Sequence, residues 1–244
     1  MAMSLHRSVK LGDKVYCYIW QGRGNNCNSI LFPSVLRGER PHVLIDPGHI
    51  RDEFGERCFD SLAQAIEKDG FNVADIGLVI GTHSHPDHIE ATDSVVNKNG
   101  ALYALSREED EFYGTIGKSF FQAFGAKPPE VKPFFYLQEG ELSLGAKENK
   151  LAVKVLLTPG HSPGSISLYL EKEKILLTGD VVFAGSIGRT DFPGGSPTVL
   201  RKSIDRLSAL DVEYLVPGHS TEMGSIIAGE ENVKRNFYTV KMFI

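Results

Sequence analysis

Cysteine is scarce in this chain: the three present, Cys17, Cys27 and Cys58, are odd in number and widely spaced. They form neither a disulfide framework nor a Cys-based zinc knuckle, and reduced thiols of this kind fit a cytoplasmic setting. Positive charge is also short, with 26 Lys and Arg against 31 Asp and Glu and a formal net charge of −5. That removes any general electrostatic reason to bind nucleic acid or an anionic membrane. No apolar run approaches the roughly 20 residues of a membrane span. The opening MAMSLHRSVKLGDKV lacks the apolar core of a secretory leader. Solenoid repeats and low-complexity linkers are missing too, so one α/β domain over 1–244 is the economical expectation.

The residues present alternate between short β-like runs and helical spacing. VYCYIW (15–20), SILF (29–32), HVLID (42–46) and GLVIGT (77–82) read as strands, as do VKVLLTPG, SISLYL, KILLTGD and EYLVPG later on. Helical spacing predicts helices over 57–70, 86–100, 202–210 and 231–243. EKEK (171–174) has the character of a solvated hairpin turn. A partly helical insertion at about 107–138 stands apart. Phe112, Ile116, Phe120 and Phe124 recur every fourth position, but Gly114 and Gly117 interrupt them, and Pro128, Pro129 and Pro133 force an irregular stretch beyond. Both a lid over a site and a helix packed on the core satisfy that pattern.

Four apolar runs end in the same way, with a Gly- or Thr-marked turn that delivers groups able to bind a metal. LVIGTHSHPDH carries His83, His85, Asp87 and His88; VLLTPGH, ILLTGD and YLVPGH carry His161, Asp180 and His219. Strands hold their ends rigidly, and tight turns beyond them can aim side chains into a common cleft. Five of the eight histidines fall in this set. A lone histidine on an apolar strand is ordinarily a hydrogen-bonded core residue. Burying seven ionisable groups together without a cation would leave costly unpaired polar atoms. His83 and His85, two apart on an extended segment, project to one side, while Asp87 and His88 begin a helix and turn away. The expectation is two divalent metal ions, one on each pair. His161 and His219 complete one site each, and Asp180 bridges. Imidazole and carboxylate donors suit zinc first, with iron and manganese also accepted.

With these residues in place, THSHPDH (82–88) resembles the Thr-His-X-His-X-Asp-His signature of the metallo-β-lactamase fold superfamily. TPGHSPGS, LLTGDVVF and VPGHS resemble its downstream motifs, in the same order, over roughly residues 15–220. The resemblance implies a four-layer αβ/βα sandwich of two mixed β-sheets flanked by helices, with metals at the edge of the facing sheets. It implies His83, His85 and His161 for the first metal and Asp87, His88 and His219 for the second, bridged by Asp180. An Asp at the bridge is similar to the glyoxalase II-like branch. That implies a hydrolase cleaving a small-molecule thioester, hydroxyacylglutathione-like, by attack of a metal-bridging hydroxide, with Asp87 orienting the water. A thiolate leaving group needs little help from a general acid.

Substrate identity is less defined. After Asp180 comes VVFAGSIGRTDFPGG, where glutathione-cleaving relatives carry Lys-Phe-Tyr in place of Arg189, Thr190 and Asp191. Arg189 has two readings: a planar fork for a substrate carboxylate, or an ion pair with Asp191. Only 25 residues follow His219, so a C-terminal glutathione-binding helical domain is not expected. The Gly-Arg-Thr-Asp-Phe string is similar also to persulfide dioxygenases. The alternative chemistry is therefore a single iron on His83, His161 and Asp180. Asp46 in LIDPG can hydrogen-bond a ligand imidazole from behind or serve only to start a turn. His49 either lines the cleft or, first in preference, sits on the surface, and His6 and His42 carry no assigned role. Oligomeric state is left open.

Overall fold

The computed structural model describes residues 4–145 and 150–244. Among the described residues the first sheet holds β1 (His6–Leu11), β2 (Val15–Trp20), β3 (Ser29–Phe32), β4 (His42–Ile45), β5 (Ile76–Ile80), β6 (Leu102–Ser106) and β7 (Phe135–Leu137), hydrogen-bonded in that order. It is antiparallel from β1 to β4 and parallel from β4 to β7. The second sheet is built from β8 (Gly140–Leu144), β9 (Leu151–Leu157), β10 (Ile166–Leu170), β11 (Ile175–Gly179), β14 (Tyr214–Pro217) and β15 (Ile227–Ala228). Of these described strands, only the β11–β14 pair is parallel. β12 (Val182–Phe183) and β13 (Ser186–Ile187) form a separate small hairpin.

The strands look uniformly apolar because both faces of each sheet are covered, yet their side chains alternate between two compartments. Ile30 and Phe32, Val43 and Ile45, and Leu78 and Ile80 point between the sheets, where they meet Val153, Val155, Ile166, Leu168 and Leu177. Their neighbours Leu31, Leu44 and Val79 point the other way and pack with Leu62, Ala65 and Ile66 of α1 (Cys58–Lys68) and with Val95. Val95 belongs to α3 (Thr92–Asn99), which follows the single turn α2 (Pro86–Ile89). On the far side, Leu156, Leu176 and Leu215 pack with α6 (Pro197–Leu207) and α7 (Glu230–Val240) through Leu200, Ile204, Val233 and Phe237. Helix, sheet, sheet, helix is the four-layer αβ/βα sandwich that the motifs imply.

Several boundaries differ from the sequence expectation, each for a local reason. The helix expected over 86–100 breaks at Glu90 and Ala91, because the Ala91 N–H donates to the Gly48 carbonyl, 2.9 Å away, outside the helix. α6 starts at Pro197 rather than 202, with the Ser196 hydroxyl capping the Val199 N–H and Pro197 in the first turn. α1, by contrast, stops where the sequence places its end: Lys68 is its last residue, Asp69 its cap, and Gly70 has a φ of +87° that a side-chain-bearing residue would resist. The 107–138 segment is α4 (Arg107–Phe112), a π turn over Tyr113–Gly117, and α5 (Lys118–Ala123), after which the prolines lead into β7. That strand, like β1 and β8, was not expected from the pattern.

Phe32 lies fully buried between the sheets. Phe32→Ala is expected to lower stability by about 3–5 kcal/mol in chemical denaturation; a loss under about 1 kcal/mol would show a core that collapses around the cavity.

Candidate metal centre

β5, β9, β11 and β14 all end at one edge of the sandwich, and backbone hydrogen bonds stitch that edge together. The Ile166 N–H donates to Thr82 O (3.0 Å), Gly218 N–H to Gly179 O (2.8 Å) and Asn28 N–H to Gly218 O (2.6 Å), joining both sheets. His83 and His85 follow β5, and Asp87 and His88 lie on α2. His161 follows the Thr158–Gly160 turn after β9, Asp180 directly follows β11, and His219 follows β14. Gly218 is required by close approach, since a Cβ there would lie 2.3 Å from Asp180 Oδ1.

The seven side chains converge in overlapping groups. His83, His85 and His161 form one, Asp87, His88 and His219 another, and His83, His88 and Asp180 a third between them; within each, one donor atom per residue lies within 4.8 Å of the others. His85 Nδ1 is 3.1 Å from His83 Nε2 and 2.9 Å from His161 Nε2. On the other side His88 Nε2 is 3.2 Å from His219 Nε2, which is 3.1 Å from Asp87 Oδ2. Asp180 spans the two sides, with Oδ1 3.2 Å from His88 Nε2, and Oδ2 3.6 Å from His161 Nε2 and 3.5 Å from His219 Nε2.

Hydrogen bonds behind the rings assign their tautomers. Asp46, buried at the end of β4, accepts from the Thr82 N–H (2.7 Å), the Thr82 hydroxyl (2.7 Å) and His88 Nδ1–H (2.8 Å). His88 Nε2 then faces inward, towards Asp180 and His219. Thr82 has given its one hydroxyl hydrogen to Asp46, so at 3.1 Å it accepts from His83 Nδ1–H, which leaves His83 Nε2 free. His161 Nδ1–H donates to the Arg189 carbonyl at 2.8 Å, with the same result. Asp46 does this from a φ of +51°, a strained backbone state that Asp tolerates better than most residues.

Charge completes the picture. Burial, then the neighbouring His88 and His85, hold His83 well below the ordinary imidazole range. Burial and then His161 push His85 down to about 3. Burial would lower His88 as well, but Asp180 and Asp46 outweigh it and hold that ring well above its ordinary value. Burial would raise Asp87 and Asp180, yet the surrounding imidazoles keep both carboxyls below the usual range. His83 and His85 are thus neutral and both carboxyls ionised, as a divalent cation requires. Against burial, Asp180 and its neighbouring carboxylates make His88 and His219 hold a proton that a bound cation would displace. Asp180 Oδ1 is buried without a hydrogen-bond partner despite its close imidazole neighbour. A buried carboxylate oxygen in that state is explained by a cation, so the residues present fit a metal pair.

Other residues hold the centre without being evident from the motifs. Glu109 is fully buried. It accepts from Ser84 N–H (2.9 Å) and Ser84 Oγ (2.8 Å) on one oxygen, and from Ser162 Oγ (2.7 Å) and Gly164 N–H (2.8 Å) on the other. One carboxylate thus clamps the His83–His85 turn to the His161 turn. Its sequence signal is the Ser106-x-x-Glu109 start of α4, with Ser106 Oγ accepting from the Glu109 N–H. Asn25 Nδ2 donates to Asp87 Oδ2 at 2.7 Å. His49 is not a surface histidine: it is buried against Glu90, 2.8 Å from Nδ1, and faces a cavity of about 450 Å³ beside the seven groups. Arg189 also lines that cavity, but Nε and Nη2 donate to the two oxygens of Asp191 at 2.9 and 2.7 Å. The local ion pair is thus present on the Nε–Nη2 edge of the guanidinium.

Asp46→Asn keeps size and turn tolerance but presents an N–H₂ that forces the opposite His88 tautomer. We expect metal affinity to fall roughly 10–100-fold in competition with a chromogenic chelator, with circular dichroism unchanged. Unaltered affinity would reduce Asp46 to a turn residue.

Known proteins match this architecture. Residues 24–219 fit the model of the metallo-beta-lactamase superfamily. A protein described as a probable metallo-hydrolase of Methanocaldococcus jannaschii is 32% identical, over 91% of this chain and 97% of its own. The hydroxyacylglutathione hydrolase GloC of Haemophilus influenzae is 33% identical, over 75% and 82%. Among solved structures, TTHA1623 in a di-iron-bound form is 28% identical with a TM-score of 0.64, covering 85% of this chain and 94% of its own. The BLEG-1 B3 metallo-beta-lactamase is 25% identical with a TM-score of 0.68, covering 96% and 99%. The chain belongs to the metallo-β-lactamase superfamily of metallo-hydrolases, whose members bind divalent metal ions.

Proposed function

We propose that this metallo-hydrolase cleaves a small-molecule thioester, using a pair of divalent metal ions, zinc in the first instance. The observation that carries the reading is Asp180, whose two oxygens face the two histidine groups at the floor of one cavity. His83, His85 and His161 would hold one ion and Asp87, His88 and His219 the other, with Asp180 shared. Metal ions bound there supply Lewis acidity and lower the pKa of water toward neutrality.

The chain's own residues do the rest. Asp46, Thr82 and the Arg189 carbonyl orient three imidazoles through Nδ1–H, and Asn25 and His219 fix the Asp87 carboxylate at the cavity wall. From that wall Asp87 orients the attacking water. A thiolate with a free pKa of about 8.5 departs readily near neutrality, which suits a cavity where no Ser or Cys nucleophile is needed. The matched relative named for hydroxyacylglutathione hydrolysis supports a thioester. Persulfide dioxygenases retain the same histidine motif, so metal content separates that reading from this one.

Purified protein is expected to bind about two zinc ions per chain and to hydrolyse thioesters. Asp180→Asn should cost more than the roughly 100-fold seen when outer partners are removed, with metal content reduced. One iron per chain, with oxygen uptake on a persulfide and no thioesterase activity, would overturn the proposal.

A further inference from the structure

The cavity over the candidate centre is walled by phenylalanine. Phe120 of α5 stacks on the His85 ring, 5.2 Å between centroids and 26° between planes. Phe192, from the loop after Arg189, stands edge-on to Phe120 at 5.3 Å and to His85 at 5.8 Å. Phe124 continues the wall outward, 6.3 Å from Phe120 and 6.1 Å from Phe192. These three rings come from two separate segments and close on one side of the His83–His85–His161 group. Phe124 keeps 56% of its surface exposed at the mouth, where a bound group could cover it.

Charge in the same cavity argues against a substrate read through carboxylates. Among the described residues Arg189 is the one Lys or Arg on its wall, and its Nε–Nη2 edge is paired with Asp191 while its guanidinium lies 4.2 Å over the Phe192 ring. The adjoining groove past His49 and Phe124 carries Arg51 and Lys127, but with Asp52, Glu53 and Glu90, so it presents no positive excess. The two carboxylates of a glutathione moiety, net charge about −1 with its ammonium, would lose hydration here against a single arginine already paired with Asp191. An apolar group would gain aromatic contact on three sides and complete the burial of Phe124. A cavity of about 450 Å³ has room for such a group as well as the scissile bond.

Building on the thioesterase reading, we propose that the substrate carries an aryl or branched-alkyl group next to its thioester, held between Phe120, Phe124 and Phe192. Carboxylates of a glutathione moiety are not what this site recognises. Phe124 and Phe192 are thus specificity-determining residues, and the arms of the test separate an apolar acyl group from an apolar thiol.

The test compares four thioesters on the zinc-loaded enzyme: lactoyl and phenylacetyl esters of N-acetylcysteamine, the acetyl ester of benzyl mercaptan, and lactoylglutathione. The phenylacetyl or the benzyl ester is expected to exceed both lactoyl esters in kcat/KM by about tenfold, through KM. Phe124→Ala or Phe192→Ala should erase most of that ratio. Lactoylglutathione outrunning both apolar esters, or variants that slow every ester alike, would overturn the proposal. Calorimetry on the same zinc-loaded protein keeps this separate from the hydrolase reading. If no ester is turned over, that reading fails, while phenylacetate binding about tenfold tighter than lactate, and weakened by Phe124→Ala, still supports the aromatic site. Equal binding of the two acids would overturn it.

Discussion

Three hydrogen bonds to one buried carboxylate organise this molecule's chemistry. Asp46 closes the end of β4 and takes the Thr82 N–H, the Thr82 hydroxyl and His88 Nδ1–H. Through His88 it reaches the Asp87–His88–His219 side, and through Thr82 it reaches His83 on the other. Thr82 also accepts, through its carbonyl, the bond from Ile166 that ties the first sheet to the second. The orientation of the imidazoles and the joining of the two sheets are therefore set at the same place. The backbone strain at Asp46 is tolerated because the surrounding bonds fix it.

The remainder of the fold serves to make four strands end together. Alternating side chains send one set into the space between the sheets and the other under the helices, so each strand is held on both faces. That rigidity allows the turns beyond β5, β9, β11 and β14 to present seven polar groups with little freedom. Glu109 adds a second brace, linking the Ser84 and Ser162 turns from α4. The metal-facing atoms are thus ordered by the polypeptide itself, as pre-organised sites are.

Much of this was legible in the sequence because the groups that converge each sit at the same kind of place, an apolar run ending in a tight turn. The residues that support them carry no such mark. Glu109 looks like one of several acids opening a helix, and only its position three after Ser106 hints at more. His49 is paired with Glu90 across 41 positions, a contact that neither spacing nor composition reveals. The break between α2 and α3 rests on a bond to Gly48, and the short strand β7 on pairing with β6. Tertiary contacts decided these, and local pattern does not contain them. Arg189 shows a different limit: the sequence offered two partners for its fork, and the fold sets Asp191, two residues on, against one edge of it.

General chemistry and particular specificity occupy different walls of one cavity. The floor is imidazole and carboxylate, assembled by strand ends common to the family. The side is phenylalanine, supplied by α5 and the loop at Phe192. The measurement that bears most directly on the whole account is a crystal structure of the zinc-reconstituted protein with anomalous scattering recorded at the zinc edge. Two peaks about 3.5–4 Å apart, on either side of Asp180, are predicted. A single peak, or zinc held away from Asp180, would contradict it.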